Sequence, residues 1–385
     1  MKNAKMFMEA IAAWFVAGLF CAAGVSYADE CPAFLVLPEY VATPDGMAVC
    51  QETGDLIVAC PNFGDDSKPA CILRINKNGQ VRKWFEVPVS EETGKAYPMG
   101  IDFAPDGALF ICDNQNWPTG NGEKGEVNQG RLIRVVLEGD KIVACDTIVS
   151  GIPHPNGVKV RDGYAYITVS CLPQCEQASG LLASGVYRFP LEARNVEFSQ
   201  KADDPNLFVL LETENKDCQY GADGLCFDDE GNLYIGNFGD GTLLKATPNG
   251  NGGAAVEVYA KCESIPPLMD ADGKPDAGFL AKATQIPMRT TDGICRDAVT
   301  GDIYVADFSN NAIAKVSGKD CKIAFIAKSG DSNGLNGELN QPGEPCFWNG
   351  HLAVTCFDMV DGPDKVNTSH DSKATIVFLP LETRD

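Results

Sequence analysis

Basic side chains are scarce in this chain of 385 residues. It has 31 Lys and Arg against 53 Asp and Glu, which gives a formal net charge of -22 at pH 7. So acidic a surface repels nucleic acid and anionic membranes, keeps the protein dissolved and attracts cations. We therefore expect a small-molecule ligand and no nucleic-acid partner.

Long apolar runs are also missing, except near the N-terminus. There, AIAAWFVAGLFCAAGV follows MKNAKMF and precedes SYA. This run is shorter than the ~20 residues that a membrane-spanning helix needs. The pattern predicts a signal peptide over residues 1–28, cut after Ala28, and hence a periplasmic or secreted protein with no membrane span. Lipid attachment through Cys21 is the alternative.

Histidine is rare, whereas cysteine is not. The chain has three His, 16 Cys and no Cys-x-x-Cys pair, so the usual spacings of zinc sites are absent. Cysteines recur at two positions of a repeat, as small buried fillers between sheets do. Cys226, Cys295 and Cys346 lie three residues after the start of a first strand, and Cys60, Cys112 and Cys356 lie at the ends of second strands. Cys171 and Cys175, in CLPQC, are the best candidates for a local disulfide.

No linker rich in Pro or Ser divides the chain, and a repeat fills it instead. Each unit reads x-Gly, a short apolar run, a glycine turn and a second apolar run, as in PDGMAVCQETGDLIVAC and PMGIDFAPDGALFIC. Four similar segments follow, and each is succeeded by a third apolar run and mostly by a fourth. Six units of roughly 50–70 residues predict an all-β, six-bladed β-propeller with four-stranded blades, forming one domain over residues 29–385. The run AFLVLPEY, residues 33–40, is expected to supply the strand that the sixth unit lacks.

The start of each repeat points to a functional rim. The first strand of every propeller blade lines the central channel, and the antiparallel second strand ends at the rim where the first begins. Reading the x of each x-Gly gives Asp45, Met99, Asn156, Asp223, Asp292 and Gly343 with Glu344 beside it. The ends of the second strands add Asn62, Asp113, Asn114, Asn237, Asp307 and Asp358.

This ring is rich in oxygen donors and poor in bases. Carboxylates crowded on one rim repel one another unless a cation lies among them, and hard oxygen ligands favour Ca²⁺ or Mg²⁺. The alternative is that these Asp and Asn side chains satisfy backbone N–H groups in turns. Both interpretations stay open from the residues alone.

GADG at 221–224 and HPNGV at 154–158 resemble the senescence marker protein/gluconolactonase family of six-bladed propellers, which has diisopropyl fluorophosphatase as a relative. The resemblance spans nearly all of the predicted mature chain. NHL-type propellers share the blade repeat, and DGICRDAVTGDIYVADF fits either group.

The resemblance implies one divalent cation at the neck of the channel, most often Ca²⁺, with Mg²⁺, Mn²⁺ or Zn²⁺ as alternatives. Its ligands are then Asn156, Asp223 and Asp45, the last of which stands where the family has Glu. Met99 stands where many relatives have Asn, and Met is a poor ligand for a hard cation. Asp113 or Asn114 could fill that gap.

Such a site supports hydrolysis of a cyclic ester or a similar small electrophile. Asp223 would act as base or nucleophile, and His154 is either an auxiliary proton carrier or a loop residue. The predicted pocket comprises Met99, Asp113, Asn114, Trp117, Asn237, Phe238, Asp292, Asp307 and Glu344. The inserted loops 113–130 and 262–279 are expected near the mouth. The alternative function is a non-catalytic NHL-like propeller that binds a ligand or protein on this rim.

Overall fold

The structure is a computed structural model. It describes residues 32–65, 67–115, 128–175, 177–216, 218–261, 289–359, 365–370 and 373–381. The predicted signal peptide, Trp117 and most of the two inserted loops lie outside these ranges. In the described ranges, no helix has the length and apolar character that crossing a bilayer demands.

The described strands form six sheets, and apart from the N-terminal strand in the last sheet, each is built from strands that are consecutive in sequence or nearly so. The first blade comprises β2 (Met47–Val49), β3 (Leu56–Cys60), β4 (Cys71–Ile75) and β5 (Val81–Glu86). The second comprises β6 (Pro98–Phe103), β7 (Leu109–Asp113), β8 (Gly130–Glu138) and β9 (Lys141–Ile152), with β13 (Val196–Glu197) added in parallel to β9. The third comprises β10 (Pro155–Arg161), β11 (Tyr164–Val169), β12 (Leu182–Pro190) and β14 (Leu207–Thr213).

The remaining blades follow the same plan. The fourth comprises β15 (Ala222–Phe227), β16 (Leu233–Asn237), β17 (Thr242–Pro248) and β18 (Ala254–Lys261). The fifth comprises β19 (Ile294–Arg296), β20 (Ile303–Asp307), β21 (Ala312–Val316) and β22 (Ile323–Lys328). The sixth comprises β23 (Pro342–Trp348), β24 (His351–Cys356), β25 (Thr375–Pro380) and β1 (Phe34–Val36). The predicted six-bladed propeller is thus confirmed.

The N-terminal strand closes the last blade. β1 pairs antiparallel with β25, placing Leu35 opposite Ile376. Without this pairing, the outer edge of the sixth blade would expose unpaired N–H and C=O groups. The prediction that residues 33–40 complete this blade is confirmed.

The hydrophobic core lies between neighbouring blades. Second strands such as β3 and β7 are buried along their whole length, because each is covered by a blade on both faces. Cys60, Cys112 and Cys356, at the ends of second strands, are fully buried there. The described cysteines are free thiols, so the candidate disulfide between Cys171 and Cys175 is not formed.

A ring of glycines lets the innermost strands approach one another. A Cβ placed on Gly46 would lie 2.3 Å from the carbonyl oxygen of Met99 in the next blade, and one on Gly224 would lie 2.6 Å from that of Asp292. Gly100, Gly157 and Gly293 of the other x-Gly pairs have similarly close neighbours. The recurring glycine is therefore required by backbone contact between blades, and it keeps the channel narrow.

Candidate functional site

The residues at the channel mouth lie in β-bulges. Pairing between first and second strands skips two residues in four blades, leaving Met99–Gly100, Asn156–Gly157, Asp223–Gly224 and Gly343–Glu344 out of register. A bulge bends the strand and re-aims its side chains, which is why bulges occur next to active sites. In four of the six blades, the rim predicted from the x-Gly repeat is therefore a distorted strand start.

Four carboxylates meet at this rim. They come from the first, fourth, fifth and sixth blades, namely Asp45, Asp223, Asp292 and Glu344. A Cβ on Gly343 would lie 3.1 Å from Asp45 Oδ1, and a Cβ on Gly293 would collide with Glu344 Oε2. Hence the glycine ring also makes room for the acidic side chains. We call these four residues the carboxylate cluster.

Burial and mutual repulsion perturb the whole cluster. Burial raises the pKa of Asp45 to about 7. Burial, opposed by Lys159 and reinforced by Asp45, raises the pKa of Glu344 to about 8. Burial and the charges of Asp45 and Glu344 raise the pKa of Asp223 well above its usual range. Because like charges in an enclosed site disfavour ionisation, the cluster holds protons unless another cation replaces them.

Two features of the cluster are informative. A hydrogen bond with the Asp292 carboxyl group partly offsets the rise in the pKa of Asp223, and such a bond requires a proton on one of the two acids. Asp45 Oδ2 is buried and has no hydrogen-bond partner. A buried carboxylate oxygen without a partner is costly and suggests an absent ligand.

Asn156 connects the cluster to a second polar group. Its Nδ2 donates to the Tyr220 hydroxyl at 3.1 Å and also hydrogen-bonds Asp223. The Tyr220 oxygen lies 2.5 Å from His154 Nε2, which also lies 3.1 Å from Asn114 Nδ2. With both amide donors directed at Tyr220 and Asp223, the Oδ1 of Asn156 stays available as an acceptor.

His154 is held in a neutral form. Its side chain is buried, and this burial lowers its pKa to about 4. A neutral imidazole with its proton on Nδ1 can accept at Nε2 from both Tyr220 and Asn114. So low a pKa makes His154 a weak base, so the geometry suits a hydrogen-bond partner better than the predicted proton carrier.

Aromatic rings encircle the mouth. Successive ring centroids lie 4.7–6.3 Å apart in a chain that runs Tyr97, Phe63, Phe357, Phe308, Phe238, Tyr220 and His154. The backbone N–H of Asn114 donates to the Tyr97 carbonyl, and its side-chain Nδ2 lies 3.1 Å from His154 Nε2, so Asn114 joins the two ends. We call this set the aromatic collar. Met99 lies in the same hydrophobic core as most of these rings, which explains why an apolar residue stands at that mouth position.

Sequence reasoning identified Phe238 but missed the rest of the collar. The signal was available, because Phe follows Asn or Asp at the end of three second strands, in NFGD at 62–65, NFGD at 237–240 and DFSN at 307–310. The polar member of each pair is held in the loop, while the aromatic member enters the collar.

The polar ends of the second strands have structural partners. Asn62 Oδ1 accepts from the backbone N–H of Ala42 at 2.9 Å. Asp307 accepts from the N–H groups of Arg289 and Thr290 at 2.7 and 3.0 Å. Such bonds anchor the loop that leads into the same blade's first strand. For these positions the turn interpretation fits best.

The side chains of Asp113 and Asn237 also bind partners within the protein. Asp113 accepts from the Tyr97 N–H at 2.6 Å and from Gln115 Nε2 at 2.9 Å, and it pairs with Arg131 at 2.6 Å. Asn237 Oδ1 accepts from the Thr213 hydroxyl at 3.1 Å. With its oxygens occupied, Asp113 does not replace the ligand that Met99 cannot provide.

The donor chemistry of the cluster fits a hard divalent cation. Asp45, Asp223 and the Oδ1 of Asn156 supply oxygens, and Asp45 Oδ2 lacks a partner. Across the described ranges, however, no three His, Cys, Asp or Glu side chains already form a group that could hold a metal ion. A cation would therefore have to draw these side chains together.

No protein-family model and no curated protein matches the sequence. Solved structures match its fold. A luciferin-regenerating enzyme aligns with a TM-score of 0.57 and 12% identity over 91% of this chain and 96% of that one. A candidate gluconolactonase aligns with a TM-score of 0.51 and 14% identity, covering 94% and 98% of the two chains. Regucalcin, a calcium-binding protein from Agrobacterium tumefaciens, aligns with a TM-score of 0.50 and 13% identity, covering 91% and 97%.

These similarities agree with the resemblance seen in the sequence. Gluconolactonase-like proteins, regucalcin and this chain share a six-bladed propeller. Identities of 12–14% establish the shared fold and leave the activity to be argued from the site.

Proposed function

We propose that this protein is an exported, metal-dependent hydrolase of the lactonase type, which opens a cyclic ester or a similar small electrophile at the channel mouth. The observation that supports this best is the carboxylate cluster, four acidic groups from four blades whose ionisation is suppressed in the metal-free protein. Crowded acids of this kind are typical of functional sites.

Asp45, Asn156 and Asp223 would hold a divalent cation, with Ca²⁺ as the first candidate. When bound, such an ion polarises the carbonyl oxygen of an ester. The protein's own contribution starts with Asp223, which accepts a proton from water as the water oxygen forms a bond to the carbonyl carbon. The ring C–O bond then breaks, and the leaving alkoxide takes up a proton, giving the hydroxy acid.

The surroundings of Asp223 support this role. Without a cation, burial and neighbouring acids raise the pKa of Asp223, and a bound cation would return it to the ionised form that can accept a proton. Asn156 and Asp292 each form a hydrogen bond with the Asp223 carboxyl group. These bonds fix its orientation before substrate arrives, which lowers the entropic cost of the reaction.

The aromatic collar favours substrates with an apolar part. Phe238 and Tyr220 are its less buried members, whereas Phe63 and Phe357 are packed. Aromatic walls bury alkyl or ring carbons well but offer few partners for hydroxyl groups. We expect alkyl-substituted lactones to react better than polyhydroxylated sugar lactones.

The direct test is a substrate panel on purified protein. Lactones and a phosphotriester would be assayed after chelation and again after adding Ca²⁺, Mg²⁺, Mn²⁺ or Zn²⁺. The proposal expects hydrolysis of at least one lactone that is lost on chelation and restored by one of these ions. No hydrolysis under any condition would favour a non-catalytic, ligand-binding propeller, for which Met99 in place of an oxygen ligand is the supporting observation.

A further inference from the structure

A lysine reaches across the propeller beneath the carboxylate cluster. Lys159 lies on β10, the innermost strand of the third blade, and its Nζ lies 3.9 Å from Oε1 of Glu344 on β23, the innermost strand of the sixth. In a closed ring of six blades, the third and sixth are opposite each other. The ion pair therefore spans the central channel.

The position of Lys159 in the repeat is unusual. It is the third residue after the mouth residue Asn156, and the corresponding residues of the other blades are Ala48, Asp102, Cys226, Cys295 and Cys346. These are mostly small, whereas Lys159 adds a long cationic side chain at that level. Its neighbour Asp102 accepts from the N–H of Val160 at 2.7 Å, which ties the second blade to the third.

The charges around Lys159 keep it protonated. Burial lowers the pKa of its ammonium group, but the carboxylates of Asp102 and Glu344 outweigh this, and the net pKa is raised. The Lys159 and Glu344 side chains keep 26% and 16% of their surface exposed, so the pair is enclosed in a channel that water still reaches. A charge in such a place acts on all groups facing the channel, with moderate screening.

We propose that Lys159 is a built-in cation that neutralises the channel below the carboxylate cluster and limits this cluster to one divalent ion. Five carboxyl groups lie on or next to the inner strands, those of Asp45, Asp102, Asp223, Asp292 and Glu344. Without Lys159 their negative charges would face one another. The ammonium offsets part of this charge, holds Glu344 across the channel and repels a second metal ion from the floor. The limit to one ion rests on the proposed function, whereas the charge pairing does not.

The first experiment tests the charge pairing without metal. Thermal unfolding in chelator would be measured above about pH 8, where Glu344 is ionised, for wild type, Lys159→Met, Glu344→Gln and the double variant. Lys159→Met should lower the melting temperature, because it leaves buried carboxylates without their counter-charge. Adding Glu344→Gln should restore part of that loss. Lys159→Arg should stay close to wild type. Additive effects in this cycle would overturn the pairing, since independent residues show no coupling.

The second experiment tests the limit to one ion. Calorimetric titration with Ca²⁺ should give one site in wild type, and Lys159→Met should bind at least about tenfold more tightly or take up a second ion, because one positive charge has left the channel. The matched control is Lys315→Met, because the Lys315 side chain is 30% exposed and its ammonium pairs with Asp302 at 3.7 Å, away from the channel. Unchanged affinity and stoichiometry in Lys159→Met would overturn the limit. If no variant binds Ca²⁺, the proposed function fails, and the unfolding cycle alone decides the role of Lys159.

Discussion

The side-chain amide of Asn156 donates to the hydroxyl of Tyr220 at 3.1 Å, just where the third and fourth blades meet at the channel mouth. This bond fixes the orientation of the Asn156 side-chain amide. With Nδ2 held by Tyr220 and Asp223, Oδ1 is the atom left for a cation. Tyr220 is thus a positioning residue for the proposed site.

Replacing Tyr220 with Phe removes this acceptor while keeping the ring in the collar. We expect Ca²⁺ affinity to fall about 5–10-fold, since one hydrogen bond contributes about 1 kcal/mol. Tyr166→Phe is a matched control, because that buried tyrosine packs edge-on against Phe208 and Phe227 away from the mouth. Equal affinities in wild type and Tyr220→Phe, measured by calorimetry, would show that Asn156 needs no such support.

The glycine ring makes a separate prediction about stability. Gly46→Ala would place a methyl group 2.3 Å from the Met99 carbonyl oxygen, and backbone cannot move aside as a side chain can. We expect a loss of about 1–3 kcal/mol in the free energy of unfolding, as for other overpacked sites. Gly330→Ala is the control, since nothing lies within 4 Å of the added methyl group there. Denaturant unfolding would compare the two, and equal effects would argue against tight contact between inner strands.

The acidic cluster predicts how stability changes with pH. The pKa is raised to about 7 for Asp45 and to about 8 for Glu344, whereas such groups titrate near ~4 in an unfolded chain. Between these values the folded state binds more protons than the unfolded state, so stability falls as pH rises. We expect the melting temperature of chelated protein to drop between about pH 5 and about pH 8.

Two variants check the source of this effect. Glu344→Gln should flatten the upper part of the pH curve, and added Ca²⁺ should oppose the drop, because a bound cation favours the ionised carboxylates. A melting temperature that rises steadily from about pH 5 to about pH 8 in chelator would contradict the raised pKa values.

The collar predicts which substrates bind best. Phe238→Ala removes an aromatic wall near Tyr220, with which its ring makes a T-shaped contact at 5.2 Å. We expect KM for a long-chain alkyl lactone to rise about tenfold, since loss of a buried ring weakens apolar contacts, with a smaller change for an unsubstituted lactone. Phe325→Ala, on the outer strand β22, is the control. Equal KM changes for both lactones would mean that the collar does not contact the alkyl chain.

Much of this arrangement could be predicted from the sequence, because it repeats. The x-Gly pattern identified the six first strands, and propeller geometry then placed Asp45, Asp223 and Asp292 on one rim. AFLVLPEY was expected at the last blade because the sixth repeat lacked a strand, and β1 lies there. The periodicity is informative because every blade must pack against its neighbours in the same way.

The features that the sequence did not reveal depend on single side chains crossing between blades. Lys159 reads as an ordinary residue within PNGVKV, and only the closed ring brings it to Glu344. Tyr220 precedes the fourth repeat, and its contact with His154 depends on how two loops meet. Asp113 and Asp307 have the right residue type for a metal site, but nearby N–H groups occupy them. Residue type alone could not separate these two kinds of acid.

The central claim is that Asp223 binds a divalent cation at the channel mouth and serves as the base. Its most direct test is calorimetric titration of Ca²⁺ into wild type and Asp223→Asn, paired with lactone hydrolysis at saturating metal. We predict that wild type binds one ion, that Asp223→Asn binds it more weakly, and that turnover falls by about 10²–10⁴ even when the site is filled, as expected for loss of a general base. A wild type that binds no divalent ion, or an Asp223→Asn variant that hydrolyses lactone as fast as wild type, would contradict the account.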